Sequence, residues 1–272
     1  MTNDSPLPPR LTDLIRRALA ADGSPPFSDG ALIDPARELV WLGPAAALVS
    51  ATEAEFVVDP DARGQGHGTR MLEALLSDHD MLFWAHGDHP AARALAASHG
   101  LVAVRELLHL ELPGGLSRRS GAVSKPGAVS IRPWTAYSTS DADAWLALNA
   151  RAFAAHPEQG AVTRADLDAL MAEPWFDADD FLLLWDGDTI IGYCWLKVEG
   201  DEGEFYVVGV SPDRQGEGLG RRLVEAGLAR LESRGIHTAH LYVDGDNAAA
   251  LALYRAYGFT QRSIDVQYLW RP

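Results

Sequence analysis

The sequence has little cysteine, no long apolar run and few basic side chains, and each shortage excludes a class of protein. The single cysteine, Cys194, excludes an intrachain disulfide framework or a thiolate metal cluster, which fits a reducing, cytoplasmic location. No apolar run approaches the roughly 20 residues that a membrane-spanning helix needs. The N-terminal MTNDSPLPPR has neither a basic region nor an apolar stretch, so we expect no signal peptide. The nine histidines have no metal-ligand spacing, so we expect no metal.

The charge balance argues against nucleic acid as a partner. The chain has 23 basic and 38 acidic side chains, a net charge of -15, and its basic runs are only pairs of arginines. A polyanion would therefore be repelled overall. The excess of acid suits a cationic or amine-bearing small molecule, although it also has the simpler explanation of solubility. We expect a monomer that binds small molecules, with no nucleic-acid or membrane partner.

The composition is that of a folded protein, and the chain divides near its middle. It has 272 residues, 47% of them hydrophobic, which suggests one large domain or two small ones. The stretch PGGLSRRSGAVSKPGA at 113–128 is rich in Gly, Ser and Pro and lacks apolar periodicity, as a linker does. The sequence therefore predicts one domain at 1–112 and a second at 129–272.

The two halves repeat each other. FVVDPDARGQGHGTRMLEALL in the first half matches VGVSPDRQGEGLGRRLVEAGLARL in the second, strand and glycines included. Each then continues with a helix, a strand (MLFWAH; TAHLYV), an alanine-rich helix and a Gly-plus-apolar stop. Before these segments, ELVWLG and AAALVSA are predicted to pair, and Asp186-Gly187-Asp188 predicts a hairpin turn between two strands. The pattern indicates an internal duplication of an α/β unit.

The glycine-rich loops carry the first chemical signal. Each follows a strand and opens a helix, where unpaired backbone N–H groups and the helix dipole favour a phosphate. Neither loop has the Gly-Lys-Ser/Thr of a nucleotide-binding P-loop, and a dinucleotide fingerprint would need a different spacing. One such turn is weak support for phosphate binding, but two in equivalent places strengthen it.

Both loops resemble a motif of the GCN5-related N-acetyltransferases, namely Arg63-Gly64-Gln65-Gly66-His67-Gly68 and Gln215-Gly216-Glu217-Gly218-Leu219-Gly220. The segments from Asp246 to Leu251 and from Tyr254 to Phe259 resemble a second motif of that family. The resemblance implies two tandem domains of this fold, each a mixed, mostly antiparallel sheet flanked by helices. It also implies acetyl-CoA as acetyl donor, its pyrophosphate on the loop amides and its thioester along the strand before the loop.

The residues that would hold acetyl-CoA follow from these motifs. In the second half they are Val208, Gly209, Val210, Gln215, Gly216, Glu217, Gly218, Leu219, Gly220, Arg221, Asn247, Ala248, Ala249, Ala250, Leu251 and Ala252. In the first half they are Phe56, Val57, Val58, Gly64, Gln65, Gly66, His67, Gly68 and Thr69.

A narrower resemblance covers most of the chain. The segments Phe83–Gly87, Gly100–Leu107, Ala152–Gly160 and Trp175–Asp177 are similar to those of the mycothiol synthase family. Members of that family transfer acetyl from acetyl-CoA to the cysteinyl amine of cysteinyl-glucosaminyl-inositol, the last step of mycothiol synthesis. The resemblance implies the same direct transfer here, without an acyl-enzyme.

Two residues of the second half are candidates for acid–base chemistry. The period of two along GEFYVVGV predicts that Glu204, Tyr206 and Val208 share one face, so Glu204 is a candidate general base. Tyr254 on the following helix is a candidate acid for the departing thiolate. A solvated strand-end Glu and a core Tyr are the alternatives, and the matching Glu and Tyr of the family favour the catalytic roles. In the first half Ala96 replaces the Tyr, and loop alignment sets Glu55 on Val207, so we expect that half to be non-catalytic.

Acceptor contacts are expected from carboxylates, a lysine and a tyrosine. The candidates are Asp29, Glu158, Lys197, Glu204 and Tyr242, with Asp29 taken from the family resemblance. The simpler interpretations are an exposed strand lysine for Lys197 and a helix N-cap for Asp29. Cys194, between Tyr193 and Trp195, is interpreted as a core residue rather than a nucleophile. The alternatives for the whole protein are an acetyltransferase for another amine, such as a protein N-terminus or an aminoglycoside, and a non-catalytic acyl-CoA sensor.

Overall fold

A computed structural model of the protein describes residues 7–113, 129–134, 139–154, 156 and 159–272. The described chain is α/β and forms two compact units. Unit 1 contains the residues up to His109 together with Asp244–Asn247 and Gln261–Pro272. Unit 2 contains Leu110–Val243 and Ala248–Thr260. None of the described helices is long and apolar enough to cross a membrane.

Unit 1 is a six-stranded sheet with the strand order β1-β2-β3-β4-β11-β5. Its elements are α1 (Pro9–Asp22), α2 (Asp29–Ile33), β1 (Glu38–Leu42), β2 (Ala45–Val49), β3 (Glu53–Val58), α3 (His67–Leu75), β4 (Met81–Ala85), α4 (Pro90–Ser98), β5 (Val102–Glu111, in this unit through His109) and β11 (Thr260–Trp270, in this unit from Gln261). The predicted pairing of ELVWLG with AAALVSA is confirmed, because β1 and β2 pair antiparallel.

Unit 2 is a five-stranded sheet with the order β10-β9-β8-β7-β6. Its elements are β6 (Val129–Pro133), α5 (Thr139–Ala152), α6 (Arg164–Met171), β7 (Phe181–Asp186), β8 (Thr189–Glu199), β9 (Glu202–Val210), α7 (Leu219–Ser233), β10 (Thr238–Asp244, in this unit through Val243) and α8 (Ala248–Ala256). The hairpin between β7 and β8 is confirmed, and Gly187 in its turn has a φ of +58°, which glycine adopts without strain. In each unit one parallel strand pair accompanies antiparallel ones, which confirms the predicted mixed sheets.

The C-terminal strand does not stay with the second half of the sequence. Val266–Trp270 of β11 pair antiparallel with Met81–Ala85 of β4, inside unit 1. Buried Val266 and Tyr268 pack there with Phe83. Unit 1 therefore differs from the predicted first domain, 1–112, by taking in this strand. The predicted linker lies, beyond Pro113, outside the described residues.

A β-bulge changes which side chains of β9 share a face. Trp195 of β8 pairs with Val207, but the next residue, Leu196, pairs with Phe205, so Tyr206 is one extra residue in β9. The Tyr206 ring lies 5.7 Å from that of Trp195, centroid to centroid. Glu204 and Tyr206 therefore lie on the face of Trp195.

Val208, in contrast, pairs with Cys194 and lies on the opposite face. The prediction that it shares the face of Glu204 and Tyr206 is wrong, because the extra residue breaks the period of two.

The core of unit 2 on the Trp195 face is aromatic. Trp134, Phe181 and Trp195 stack with centroid separations of 4.7 and 4.2 Å, and Trp145 of α5 meets Phe181 edge-on. On the other face Gly227 of α7 lies against Phe205 and Cys194, with no room for a side chain. Flat rings fill the space under α5 with few rotamers to fix, which favours one rigid arrangement.

Candidate active site

The same loop conformation opens a helix in both units. Gly216 and Gly218 have φ values of +82° and +77°, and Gly64 and Gly66 have +74° and +77°. Gly218 and Gly66 are the N-caps of α7 and α3. Left-handed glycines turn the chain so that successive backbone N–H groups converge ahead of the helix N-terminus, which suits a pyrophosphate.

The strand before each loop separates from its parallel neighbour. In unit 2 β9 pairs with β10 only over Glu202–Glu204, although β9 continues to Val210. In unit 1 β3 pairs with β4 only over Glu53–Glu55 and continues to Val58. Backbone donors and acceptors beyond these points are free of the parallel partner, so an extended ligand such as pantetheine can pair with them.

Glu204 stands where β9 and β10 part. It pairs with Lys197 on β8 and with His240 on β10, and it is half-buried. Its negative charge and burial both raise the pKa of the Tyr206 phenol, burial more strongly. A carboxylate at the opening of the cleft can accept a proton from an incoming amine.

Tyr254 of α8 is buried, 7% exposed, between Phe205 and Phe259. Burial raises the pKa of its phenol well above the usual value. The proton is therefore held at neutral pH, as a general acid requires.

The candidate acceptor contacts fall in different places. Lys197 is half-buried in unit 2, with its Nζ 2.7 Å from Glu199 and 5.7 Å from the centre of the Trp175 ring. Tyr242, on β10 of the same unit, is 47% exposed. Asp29 is the exposed first residue of α2 in unit 1, where Ser28 rather than Asp29 caps the helix. Glu158 lies outside the described residues.

A buried amide, that of Asn149, holds Gln159 in place. Asn149 of α5 is fully buried and donates from Nδ2 to the Gln159 carbonyl at 2.6 Å. Its Oδ1 accepts from Gln159 Nε2 at 3.0 Å and from the Tyr193 hydroxyl at 2.5 Å. The Gln159 backbone N–H donates to His156 Nδ1 at 3.0 Å. These bonds fix His156 and Gln159 relative to β8.

Unit 1 has a cavity of about 410 Å³ in front of its own loop. All of the first-half residues predicted for acetyl-CoA line it, except Gln65. The Cβ of an alanine at Gly68 would lie 3.1 Å from Leu95, and one at Gly220 would lie 3.2 Å from Leu253. Leu95 therefore corresponds to Leu253, because each lies next to the equivalent glycine. The residue after Leu95 is Ala96, which lines the cavity and corresponds to Tyr254.

His86, which lines this cavity, belongs to a charged cluster. His86 donates from Nε2 to Glu55 at 3.0 Å and from Nδ1 to Asp265 of β11 at 3.1 Å. Burial disfavours the charged imidazole, but the two carboxylates outweigh it and raise the pKa of His86 to about 9. Glu55 also accepts from the Ser28 N–H and hydroxyl. Burial raises the pKa of Glu55, but these bonds and His86 lower it overall.

The strand pairing relates Glu55 to Glu204 more closely than the loops do. Glu55 is the last residue of β3 that pairs with β4, as Glu204 is the last of β9 that pairs with β10. Loop alignment sets Glu55 on Val207 instead, because β3 reaches its loop in fewer residues than β9. Unit 1 therefore retains the carboxylate, but the Glu55 oxygens accept hydrogen bonds from His86 and Ser28.

Sequence reasoning gave no role to several residues of these sites. Asn149 and the cluster of Glu55, His86 and Asp265 carry no local pattern, because their partners are distant in sequence. The period of two places Tyr206 on the face of Glu204, but no role followed from that position alone. Cys194 is a core residue, as predicted, and burial raises the pKa of its thiol. Among the described residues no group of three or more His, Cys, Asp or Glu could hold a metal ion.

Comparison with known proteins agrees with this geometry. Residues 144–259 match the model of the acetyltransferase (GNAT) family. A solved GCN5-related N-acetyltransferase from Sphaerobacter thermophilus has a TM-score of 0.71, with 20% identity over 97% of this chain and 93% of that one. A tandem GNAT protein from the clavulanic acid biosynthesis pathway has a TM-score of 0.65, with 18% identity over 96% and 93%. These two structures support the tandem fold.

Curated relatives narrow the family. A mycothiol acetyltransferase of Clavibacter michiganensis subsp. michiganensis is 46% identical over 95% of this chain and 90% of its own length. The chain therefore belongs to the mycothiol acetyltransferase family, whose members share the GNAT fold.

Proposed function

We propose that unit 2 transfers acetyl from acetyl-CoA to the cysteinyl amine of cysteinyl-glucosaminyl-inositol, the last step of mycothiol synthesis. The observation that carries the proposal is the parting of β9 and β10 directly after Glu204, ahead of the glycine loop of α7. This arrangement offers a pyrophosphate cradle, a strand edge for pantetheine and a carboxylate at the thioester end. The family membership supplies the acceptor.

The chemistry follows from the two titratable groups. The amine loses a proton to Glu204, directly or through a water, and its nitrogen attacks the thioester carbon. The new C–N bond forms as the C–S bond breaks, and the departing thiolate takes the proton of Tyr254. Tyr254 is protonated at neutral pH, because burial raises the pKa of its phenol, so it has a proton to donate. The buried Cys194 supports transfer without an acyl-enzyme.

We further propose that unit 1 is the non-catalytic copy. Its cavity and loop fit a CoA-like ligand, but Ala96 replaces the acid and Glu55 is engaged by His86 and Ser28. In this proposal the chain acts as a monomer in the cytoplasm and needs no metal.

Mass spectrometry of products tests the acceptor. The protein is incubated with acetyl-CoA carrying a labelled acetyl group and with cysteinyl-glucosaminyl-inositol, and the expected product carries one labelled acetyl on nitrogen. Parallel incubations contain an aminoglycoside or a peptide with a free N-terminus. Preferential labelling of either would replace the proposed acceptor, and binding of acetyl-CoA without any product would favour the sensor.

A further inference from the structure

Trp175 packs at the edge of the aromatic core of unit 2 and takes no part in the acid–base chemistry proposed above. It follows α6 and is half-buried at the edge of the aromatic core, with its ring centre 5.8 Å from that of Trp195 and 5.3 Å from that of Tyr206. The Lys197 ammonium lies 5.7 Å from the centre of the same ring. A large indole left partly uncovered beside charged groups has apolar surface to offer to a ligand.

The same side chains connect Trp175 to the proposed base. Tyr206, which contacts Trp175, lies on the same face of β9 as Glu204. Glu204 in turn pairs with Lys197 across the β8–β9 ladder. The indole, an ammonium and a carboxylate therefore lie together at the place where β9 and β10 part.

The segment that carries Trp175 is held in place from the α7 side. Asp180, fully buried, accepts from Arg230 Nε at 2.7 Å and from Arg234. Asp177 lies 3.5 Å from Arg230. Buried, charge-assisted bonds of this kind fix the chain just after Trp175, so the ring is positioned before a ligand arrives.

A flat apolar ring flanked by a donor and an acceptor matches one ligand chemistry well. A saturated six-membered ring with equatorial hydroxyls has C–H groups on its faces and hydroxyls on its rim. The C–H face can pack on the indole while the hydroxyls meet Lys197 and carboxylates. We propose that Trp175 binds the acceptor by packing against one of its hydroxylated rings and so selects ring-bearing acceptors over small cysteinyl amines. This inference rests on the proposed function.

Kinetics with two acceptors and two variants test the proposal. Trp175→Leu keeps an apolar group at the core edge but removes the flat face, and Trp175→Phe keeps a flat face. The acceptors are cysteinyl-glucosaminyl-inositol and cysteine amide, which has the amine and thiol but no ring. Trp175→Leu should raise KM for the ring acceptor about tenfold or more, the equivalent of one good packing contact. It should leave kcat/KM for cysteine amide and KM for acetyl-CoA within about twofold, and Trp175→Phe should restore most of the loss.

Trp185 provides the matched control. It is a half-buried tryptophan of the same core with a cation, Arg132, 5.4 Å from its ring, but it lies near the hairpin end of β7. Trp185→Leu should leave the ratio of kcat/KM values for the two acceptors unchanged.

Two results would overturn the inference. The first is an equal loss for both acceptors in Trp175→Leu, and the second is an unchanged KM for the ring acceptor. A wild-type protein that does not acetylate the ring acceptor at all would instead overturn the proposed function, and this assignment of Trp175 with it.

Discussion

At the scale of the residue, Glu204 and Tyr254 have environments that suit opposite roles. Glu204 is half-buried beside Lys197, at a place that an incoming amine can reach. Tyr254 is buried among aromatic rings, which keeps its phenol protonated. A base needs access to the acceptor, whereas an acid needs to retain its proton until the thiolate forms. The two residues therefore differ in exposure to solvent: Glu204 is half-buried, whereas Tyr254 is buried.

Removing either group should slow chemistry rather than weaken binding. General acid or base catalysis contributes about 10²–10⁴-fold, so Glu204→Gln and Tyr254→Phe should each lower kcat by that order and leave acetyl-CoA affinity unchanged. An acyl donor with a more acidic thiol should partly rescue Tyr254→Phe but not Glu204→Gln. Glu204→Gln should also blunt the low-pH limb of the rate profile. Steady-state rates across pH, with both donors, measure these effects.

Neighbouring residues supply the controls for this pair. Tyr257→Phe removes a hydroxyl that donates to Glu225 at 2.7 Å, and Glu202→Gln changes an exposed carboxylate on the same strand as Glu204. Both should retain wild-type rates. If Tyr254→Phe turned over as fast as they do when chemistry limits the rate, its acid role would be lost.

At the scale of the element, the loops and strands place these residues through backbone conformation. The left-handed glycines at the N-caps of α3 and α7 aim N–H groups, and the parting of parallel strands frees the edge beside them. The β9 bulge moves Val208 to the face opposite Glu204 and Tyr206. These backbone features orient N–H groups and side chains and open the cleft to a ligand, but they contribute no reactive group themselves.

A side chain at Gly218 tests the pyrophosphate cradle. No protein atom lies within 4 Å of a Cβ at Gly218, so the damage comes from the φ of +77° and from the ligand's own space. Gly218→Val should weaken acetyl-CoA binding to unit 2 by about tenfold or more, because the side chain takes the ligand's space and displaces the loop N–H groups. Calorimetry on the folded variant measures the affinity.

Gly235 offers a control with the same strain away from the loop. Its φ is +73° and its Cβ would also be unobstructed. Gly235→Val should lower stability to a similar extent but leave acetyl-CoA affinity intact. Equal affinities in the two variants would contradict the assignment of the loop.

The His86 cluster should make the stability of unit 1 depend on pH. Because the folded pKa of His86 is about 9, against 6.5 for an ordinary histidine, its contribution is complete below pH 6.5 and is lost as the pH rises through 9. The lowered pKa values of Glu55 and Asp265 act in the opposite sense, and their contribution is lost as the pH falls through those values. Thermal unfolding between pH 6 and 10 should show the decline on the alkaline side.

His86→Gln should remove most of that decline. It removes the imidazolium from buried Glu55 and from Asp265, whose side chain is 20% exposed. Arg37 remains 3.5 Å from Glu55, so the cost should stay below the about 3–5 kcal/mol of a buried charge left unpaired. His79→Gln, at an exposed histidine of the same unit, is the control. Retention of the full alkaline decline in His86→Gln would show that another group causes it.

At the scale of the whole molecule, the proposal gives the two units of the duplicated sequence different roles. Both units keep the loop conformation and the parted strands, but in unit 1 Ala96 lies at the place of Tyr254 and Glu55 lies in a buried cluster with His86. The net charge of -15 also favours the approach of a cationic acceptor over an anionic one.

Equivalent variants in the two glycine loops should distinguish the roles of the two units. Gly66→Val in unit 1 should lower the number of acetyl-CoA molecules bound or the stability of the fold, with kcat retained. Gly218→Val in unit 2 should instead impair transfer. Calorimetric stoichiometry and rates on the same preparations test this pair, and loss of transfer in a folded Gly66→Val that still binds acetyl-CoA in unit 2 would reverse the assignment.

The sequence by itself determined the duplication, the loops and most of the elements around them, because these depend on local periodicity and on glycine where φ is positive. It also indicated Glu204 and Tyr254 through spacing and family resemblance. Only the tertiary structure decided that β11 completes the sheet of unit 1, that a bulge moves Val208 off the face of Glu204, and that His86 engages Glu55. These features depend on strand order and on pairing between residues far apart in sequence, which no local pattern records.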